Sequence, residues 1–224
     1  QANTTAGISI VQFTGTGGNT TVGHGLGVAP KLVITKSTAT ANRGIALNMG
    51  KTFVADPETD LIQFCATNAF SDDATGWNDT APTSTVFSVG SSALGNASSQ
   101  ACIAYAFAEV QGFSKFGYYS GTGNIAGTKV YCGFKPKWIL IKGYSSAGEN
   151  WLSKASGLTG YGLGGQRTRS MGWNSAYRAT NATIQFESNG FRCATAVASV
   201  NQENTQYIYM AFAEMPMVGT NGII

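Results

Sequence analysis

The groups in this 224-residue chain that could do chemistry are one histidine, four cysteines, 11 acidic residues and a set of loop aromatics. The histidine, His24, sits in Val22-Gly23-His24-Gly25-Leu26-Gly27. One imidazole cannot build a histidine metal site. A histidine-based triad also needs a nucleophile and an orienting acid nearby, and no such signature surrounds it. Position 130, 106 residues on, is Val130. A structural role is therefore expected for His24. Cys65, Cys102, Cys132 and Cys193 form no CxxC pair, and their spacings of 37, 30 and 61 match no zinc pattern. Cys102 and Cys132 lie in apolar runs, so buried free thiols are expected, with disulfides the alternative in a secreted protein.

Among the acids, Glu109 and Glu214 end similar segments, as Lys36 and Lys142 end others. An ion pair at one end of a sandwich is the expectation. Acid and base of a glycosidase must lie within about 10 Å of each other, whereas tandem domains hold equivalent positions further apart. No catalytic residue is assigned, and a glycan-cleaving enzyme stays a remote alternative. Asp56, Glu58, Asp60, Asp72, Asp73 and Asp79 offer oxygens of the type that bind Ca²⁺. Without an EF-hand pattern they are expected to be solvated loop acids. Gly160-Tyr161-Gly162-Leu163-Gly164-Gly165 lacks the GxxxxGK[ST] of a phosphate loop. No metal and no cofactor are expected.

The elements that must position these groups come from a repeat. Phe13–Gly17 matches Tyr119–Gly123, and Gly27–Lys36 matches Gly133–Lys142, both at an offset of 106. Tyr105–Glu109 matches residues 210–214, and Asn96 matches Asn201, at 105. The order and spacing predict a tandem duplication with a boundary near Gly112–Gly117, hence domains at 1–112 and 113–224. Each copy reads as all-β. Ile8–Phe13 is a short β-branched and aromatic run ending at glycines. Lys31–Lys36 and Lys137–Lys142 are apolar runs entered through a proline, which a strand tolerates at its start. Ile103, Tyr105 and Phe107 alternate with Cys102, Ala104, Ala106 and Ala108, which predicts a central strand covered on both faces. Phe107 and Phe212 are expected at equivalent buried positions. Turn signals every 8–12 residues predict two tandem, jelly-roll-like β-sandwiches.

Charged residues make up only 11% of the chain and the formal charge is +3. That composition excludes a disordered chain and a coiled coil. The densest basic stretch is Gln166-Arg167-Thr168-Arg169, with Arg178 nearby, too little for a duplex binder. The longest apolar run, Ala101–Ala108, is far shorter than the ~20 residues of a membrane helix. The chain starts at Gln1 with no visible signal peptide, so processing or an upstream segment is expected.

Residues 23–34, 77–90 and 105–117 together resemble a family of duplicated β-domains in virion proteins of tailed bacteriophages, marine and cyanobacterial ones in particular. The resemblance spans Gly7 to Pro216. It implies a tail-fibre or other tail-associated protein in the virion, and carries over no active site. Family members often bear a Trp-x-Val-Tyr-His block where this chain has Arg43–Asn48, and a short basic end where it stops at Ile224; the chain is thus expected to be a fragment.

The expected function is a non-enzymatic virion structural protein, most simply a tail fibre or spike that contacts host-surface glycan. The alternative is a capsid decoration or head-fibre protein. Expected partners are further copies of the chain, a trimer by analogy with tail fibres, and other virion proteins. Neither nucleic acid nor membrane insertion is expected. Strand blocks are similar between the copies while residues 42–85 and 144–183 differ. Sandwich function sits on variable loops, so ligand or partner contact is expected at Trp77, Trp151, Tyr161, Arg167 and Trp173, residue types that dominate binding hot spots.

Overall fold

A computed structural model describes residues 1–38, 44–48, 56–64, 66–156, 170–172, 178–179 and 183–215. The chain is all-β. Its α-helices among the described residues are single turns, α1 (Ala74–Trp77), α2 (Ala93–Asn96) and α3 (Ala198–Asn201). Contacts divide it into two compact units, Gln1–Cys65 with Phe70–Val110, and Ala66–Ala69 with Gln111–Ile224.

In the first unit the strands are β1 (Ala2–Asn3), β2 (Ile8–Thr14), β3 (Thr20–Gly23), β4 (Leu32–Ser37), β5 (Ile45–Asn48), β6 (Asp60–Gln63), β7 (Ser71–Asp72), β8 (Val86–Val89) and β9 (Ala101–Phe107). A seven-stranded sheet runs β1-β2-β9-β4-β5-β6-β7, and β3 pairs with β8. In the second unit they are β10 (Ser114–Ser120), β11 (Thr128–Tyr131), β12 (Pro136–Gly143), β13 (Leu152–Ala155), β14 (Ser170–Gly172), β15 (Arg178–Ala179), β16 (Ile184–Glu187), β17 (Gly190–Cys193) and β18 (Gln206–Ala213). Here a six-stranded sheet runs β10-β18-β12-β13-β14-β15, and a three-stranded sheet runs β11-β17-β16. All pairings are antiparallel. In both units the first long strand pairs with the last, which pairs in turn with the strand that follows the proline of the Pro-Lys block. Ile8 opposes Phe107 in one, and Ser114 opposes Phe212 in the other.

Each unit closes a core between its larger and smaller sheets. The first packs Val22, Leu26, Val33, Ile45, Leu61, Phe87 and Val89 around Trp77, against Ala104, Ala106 and Ala108. The second packs Val130, Ile139, Ile141, Ile184 and Phe191 around Tyr119, Tyr207 and Tyr209. The alternation on β9 is as expected, but the expected cover on both faces is not met, since Tyr105 is 36% exposed. The small residues line the core, because Trp77 supplies the volume opposite them. The bulky row turns away from that core, so Phe107 is half-buried. Phe212 is likewise half-buried, ringed by Phe113, Phe116 and Trp138 at 5.7–6.1 Å. The expectation of two buried phenylalanines is corrected accordingly: both are half-buried.

Candidate functional site

The predicted contact residues do not gather on a surface. Trp77 is 0% exposed and Trp151 3%, so neither indole offers a face to a ligand. Trp77 ends α1, whose first turn is capped by the Asp73 carboxylate accepting from the Thr75 N–H at 2.9 Å. The cap folds the turn over the sheet and drives the ring into the core. Tyr161, Arg167 and Trp173 lie outside the described residues, as do Cys65, the Gly160–Gly165 loop and the Gln166–Arg169 stretch.

The titratable groups have structural places. His24 is buried; its Nδ1 accepts from the Leu26 N–H at 3.2 Å, so Nε2 donates to the Thr83 carbonyl at 3.1 Å. Cys102, Cys132 and Cys193 are buried free thiols. No group of three or more potential metal ligands occurs among the described residues. Asp60 is buried on β6 instead of solvated, and Asp73 is engaged as a cap. The expected Glu–Lys ion pair also differs. Glu214 pairs with Lys135 at 2.6 Å and Lys137 at 3.9 Å, which hold its carboxyl below the usual range. Antiparallel pairing explains this. Pro136 opposes Ala213 while Lys142 opposes Ile208, so Lys142 lies at the other end of the strand. The same register sets Lys36 opposite Ile103, far from the Glu109 end of β9.

Lys142 is itself 0% exposed. Its Nζ donates to the Glu149 carbonyl at 2.5 Å, and burial pushes its pKa down to about 8 against the pull of the Glu149 carboxylate. Lys154 is also buried. It donates to the Ile184 carbonyl, lies 4.8 Å over the Phe186 ring, and is pushed down to about 8 by burial. Near it the Cys193 thiol, pushed up to about 12 by burial, donates to the Tyr119 oxygen at 3.5 Å. A thiol held protonated in this way is inert, since only the thiolate is nucleophilic.

The sequence repeat marks Asn96 and Asn201 without revealing their work. Both are buried single-residue clasps. Asn96 Oδ1 accepts from the Thr16 N–H at 2.9 Å while Nδ2 donates to the carbonyls of Gly90 and Gly18 at 2.7 and 2.8 Å. Asn201 Oδ1 accepts from the Thr122 N–H at 2.9 Å while Nδ2 donates to Thr195 and Asn124 at 2.7 and 3.0 Å. Each clasp ties the glycine loop after the first long strand to the turn before the last.

The outer face of β11-β17-β16 is a chemically varied exposed surface. Period-two alternation turns Val130, Phe191, Cys193 and Ile184 inward. It turns two rows outward: Lys129–Arg192–Gln185 and Tyr131–Gly190–Glu187. Tyr131 is 69% exposed, and Ile125, in the loop entering β11, is 77% exposed. Arg192 is fixed along the sheet: Nε donates to Gln185 Oε1 at 3.1 Å and faces Glu187 at 3.3 Å, and Nη1 donates to the Ala126 carbonyl at 3.4 Å. Gly190, at φ 155°, allows no side chain, since a Cβ would lie 1.9 Å from the Val130 oxygen. The floor beside Tyr131 is therefore bare backbone. No sequence pattern announced this face, because its strands are only four residues long and its polar residues are widely separated in the chain.

No helix among the described residues is long and apolar enough to cross a membrane. No curated protein and no solved structure matches the chain. A family model described as a domain of unknown function, DUF7483, matches residues 1–216. That span is nearly the whole sequence and takes in both units, so the chain belongs to the DUF7483 family.

Proposed function

We propose that this chain is a non-enzymatic structural protein of a bacteriophage virion, two duplicated sandwich-like units serving in a tail fibre or spike that touches host-surface glycan. The observation that carries the reading is where the family-like residues lie. Of the three blocks resembling phage β-domains, residues 23–34 run from the end of β3 into β4, residues 77–90 run from the end of α1 through β8, and residues 105–117 run from the end of β9 into β10. The repeat counterparts of Gly27–Lys36 and Tyr105–Glu109 supply β12 and β18. The resemblance thus touches strands of both the larger and the smaller sheets of the first unit, the kind of scaffold a virion module keeps while its surface varies. The two asparagine clasps, spaced like the repeat, favour an origin by duplication. Self-association, as a trimer, fits a weak glycan contact that gains strength through avidity.

Antibody raised to the chain tests the reading directly. Immunogold label on tails of intact particles is expected. Label on the head would move the protein to a capsid-decorating role, and unlabelled particles would remove it from the virion. Mass photometry of the purified chain should show a trimer; a monomer at micromolar concentration would overturn that part.

A further inference from the structure

We propose that the outer face of β11-β17-β16 is a binding platform for an acidic polysaccharide, one rich in uronic acids; the proposal rests on the virion reading for its biological setting only. Three features of the face fit such a ligand. Tyr131 presents most of its ring to solvent, and an aromatic plane beside polar groups suits the C–H face of a sugar ring. Gly190, opposite Tyr131 across the ladder, carries no side chain to stand beside the ring.

The charge on the face then selects acidic over neutral sugars. Lys129 is exposed and makes no ion pair among the described residues. Arg192 lies directly opposite it. Its contacts with Gln185, Glu187 and Ala126 employ three of its five N–H groups. One N–H on each terminal nitrogen remains, in a fixed orientation. A guanidinium held in this way loses little freedom on meeting a carboxylate. Two cations against the single carboxylate of Glu187 leave the face net positive. The matching pair in the first unit, β3 and β8, carries Thr21 and Gly23 opposite Ser88 and Val86. It has neither the ring nor the cations, so the platform belongs to the second unit.

Affinity gel electrophoresis of the full chain tests this, with alginate as the acidic probe and dextran as the neutral one. Retardation by alginate and not by dextran is expected. Tyr131→Ala should weaken it roughly tenfold, the scale of one lost stacking contact. Tyr131→Phe should keep it, and Lys129→Glu should remove it. Both positions are exposed, so the variants fold, as an unchanged urea midpoint would verify. Migration of the parent chain unaffected by alginate overturns the proposal. So does equal retardation by dextran, or a Tyr131→Ala variant that binds like the parent. A change of oligomeric state in Tyr131→Ala would instead make the face a contact between copies. Virion labelling reports on the proposed function whatever the gels show, so either idea can fail alone.

Discussion

Asn201 gives the clearest single-residue prediction. Truncating it to Ala strands the buried Thr195 carbonyl and unpairs the partly buried Thr122 N–H and Asn124 carbonyl. Each unsatisfied buried group costs about 1–3 kcal/mol, and partial relaxation makes a total near 3 kcal/mol reasonable. Asn201→Asp keeps the acceptor but loses both amide donors, so it should also destabilise. Urea denaturation measures both, and Asn96→Ala should behave alike. Trp77→Ala removes the largest fully buried side chain among the described residues and should cost about 3–5 kcal/mol. A Trp77→Ala change that left the urea midpoint in place would contradict the core described above. The two tryptophans show what the sequence hides. Both lie beside loops in the chain and carry an amphipathic indole, which suits a surface and a core equally. Only the Asp73 cap and the turn it holds decide for Trp77, and that turn is too short to leave a helical period.

At the scale of elements, the strands bordered by the repeat blocks were legible. Ile8–Phe13 forms β2, extended by one residue, and Lys31–Lys36 forms β4 shifted by one. Repetition made them so, since two copies of a pattern reinforce each other. The short strands β3, β11, β16 and β17 were not, because four residues give two alternations at most. Facing was also beyond the sequence. Period two separates Ala104 from Tyr105 but says nothing of which side meets Trp77, which arrives from another segment. Within the three-stranded sheet, Gly190 is the point on which the pairing of β11 with β17 turns. Gly190→Ala would force a Cβ against the Val130 carbonyl at a backbone angle that side chains rarely adopt. Strain of this kind costs of order 1–3 kcal/mol before any clash. Loss of amide-exchange protection across β11 and β17, with β10 and β18 still protected, is the expected readout.

For the molecule as a whole, the buried titratable groups predict how stability follows pH. Lys142 and Lys154 bind protons more weakly when folded, at about 8 against 10.5 when unfolded. Between those values the unfolded chain holds more protons, so stability rises with pH, by up to about 2–3 kcal/mol per unit when both contribute fully. Burial raises Cys102 and Cys193, which ionise near 9 in the unfolded chain and so oppose the rise above that pH. Tyr119, Tyr144 and Tyr207, all raised by burial, add to the opposition above 10. Denaturation midpoints should therefore climb from pH 8, level off a little above 9 and fall beyond 10. A Lys142→Met, Lys154→Met double variant should lose the climb and keep the fall. A parent curve flat from pH 8 to 9 would contradict the burial of both amines.

The two units pair their first and last long strands alike but hold their core bulk in different places. The first draws it from Trp77 and keeps Cys102 and Ala104 on its last strand. The second draws it from that strand itself, at Tyr207 and Tyr209. Exchanging the last strands of the two units would show how far each core depends on its own source of bulk. A hybrid with the β18 tyrosines beneath Trp77 would be overfilled, and its reciprocal would hold a void of two rings. Overfilling costs about 1–3 kcal/mol and each lost ring about 3–5 kcal/mol. Exchanging the last strands between the units is therefore expected to lower the denaturation midpoint of either hybrid.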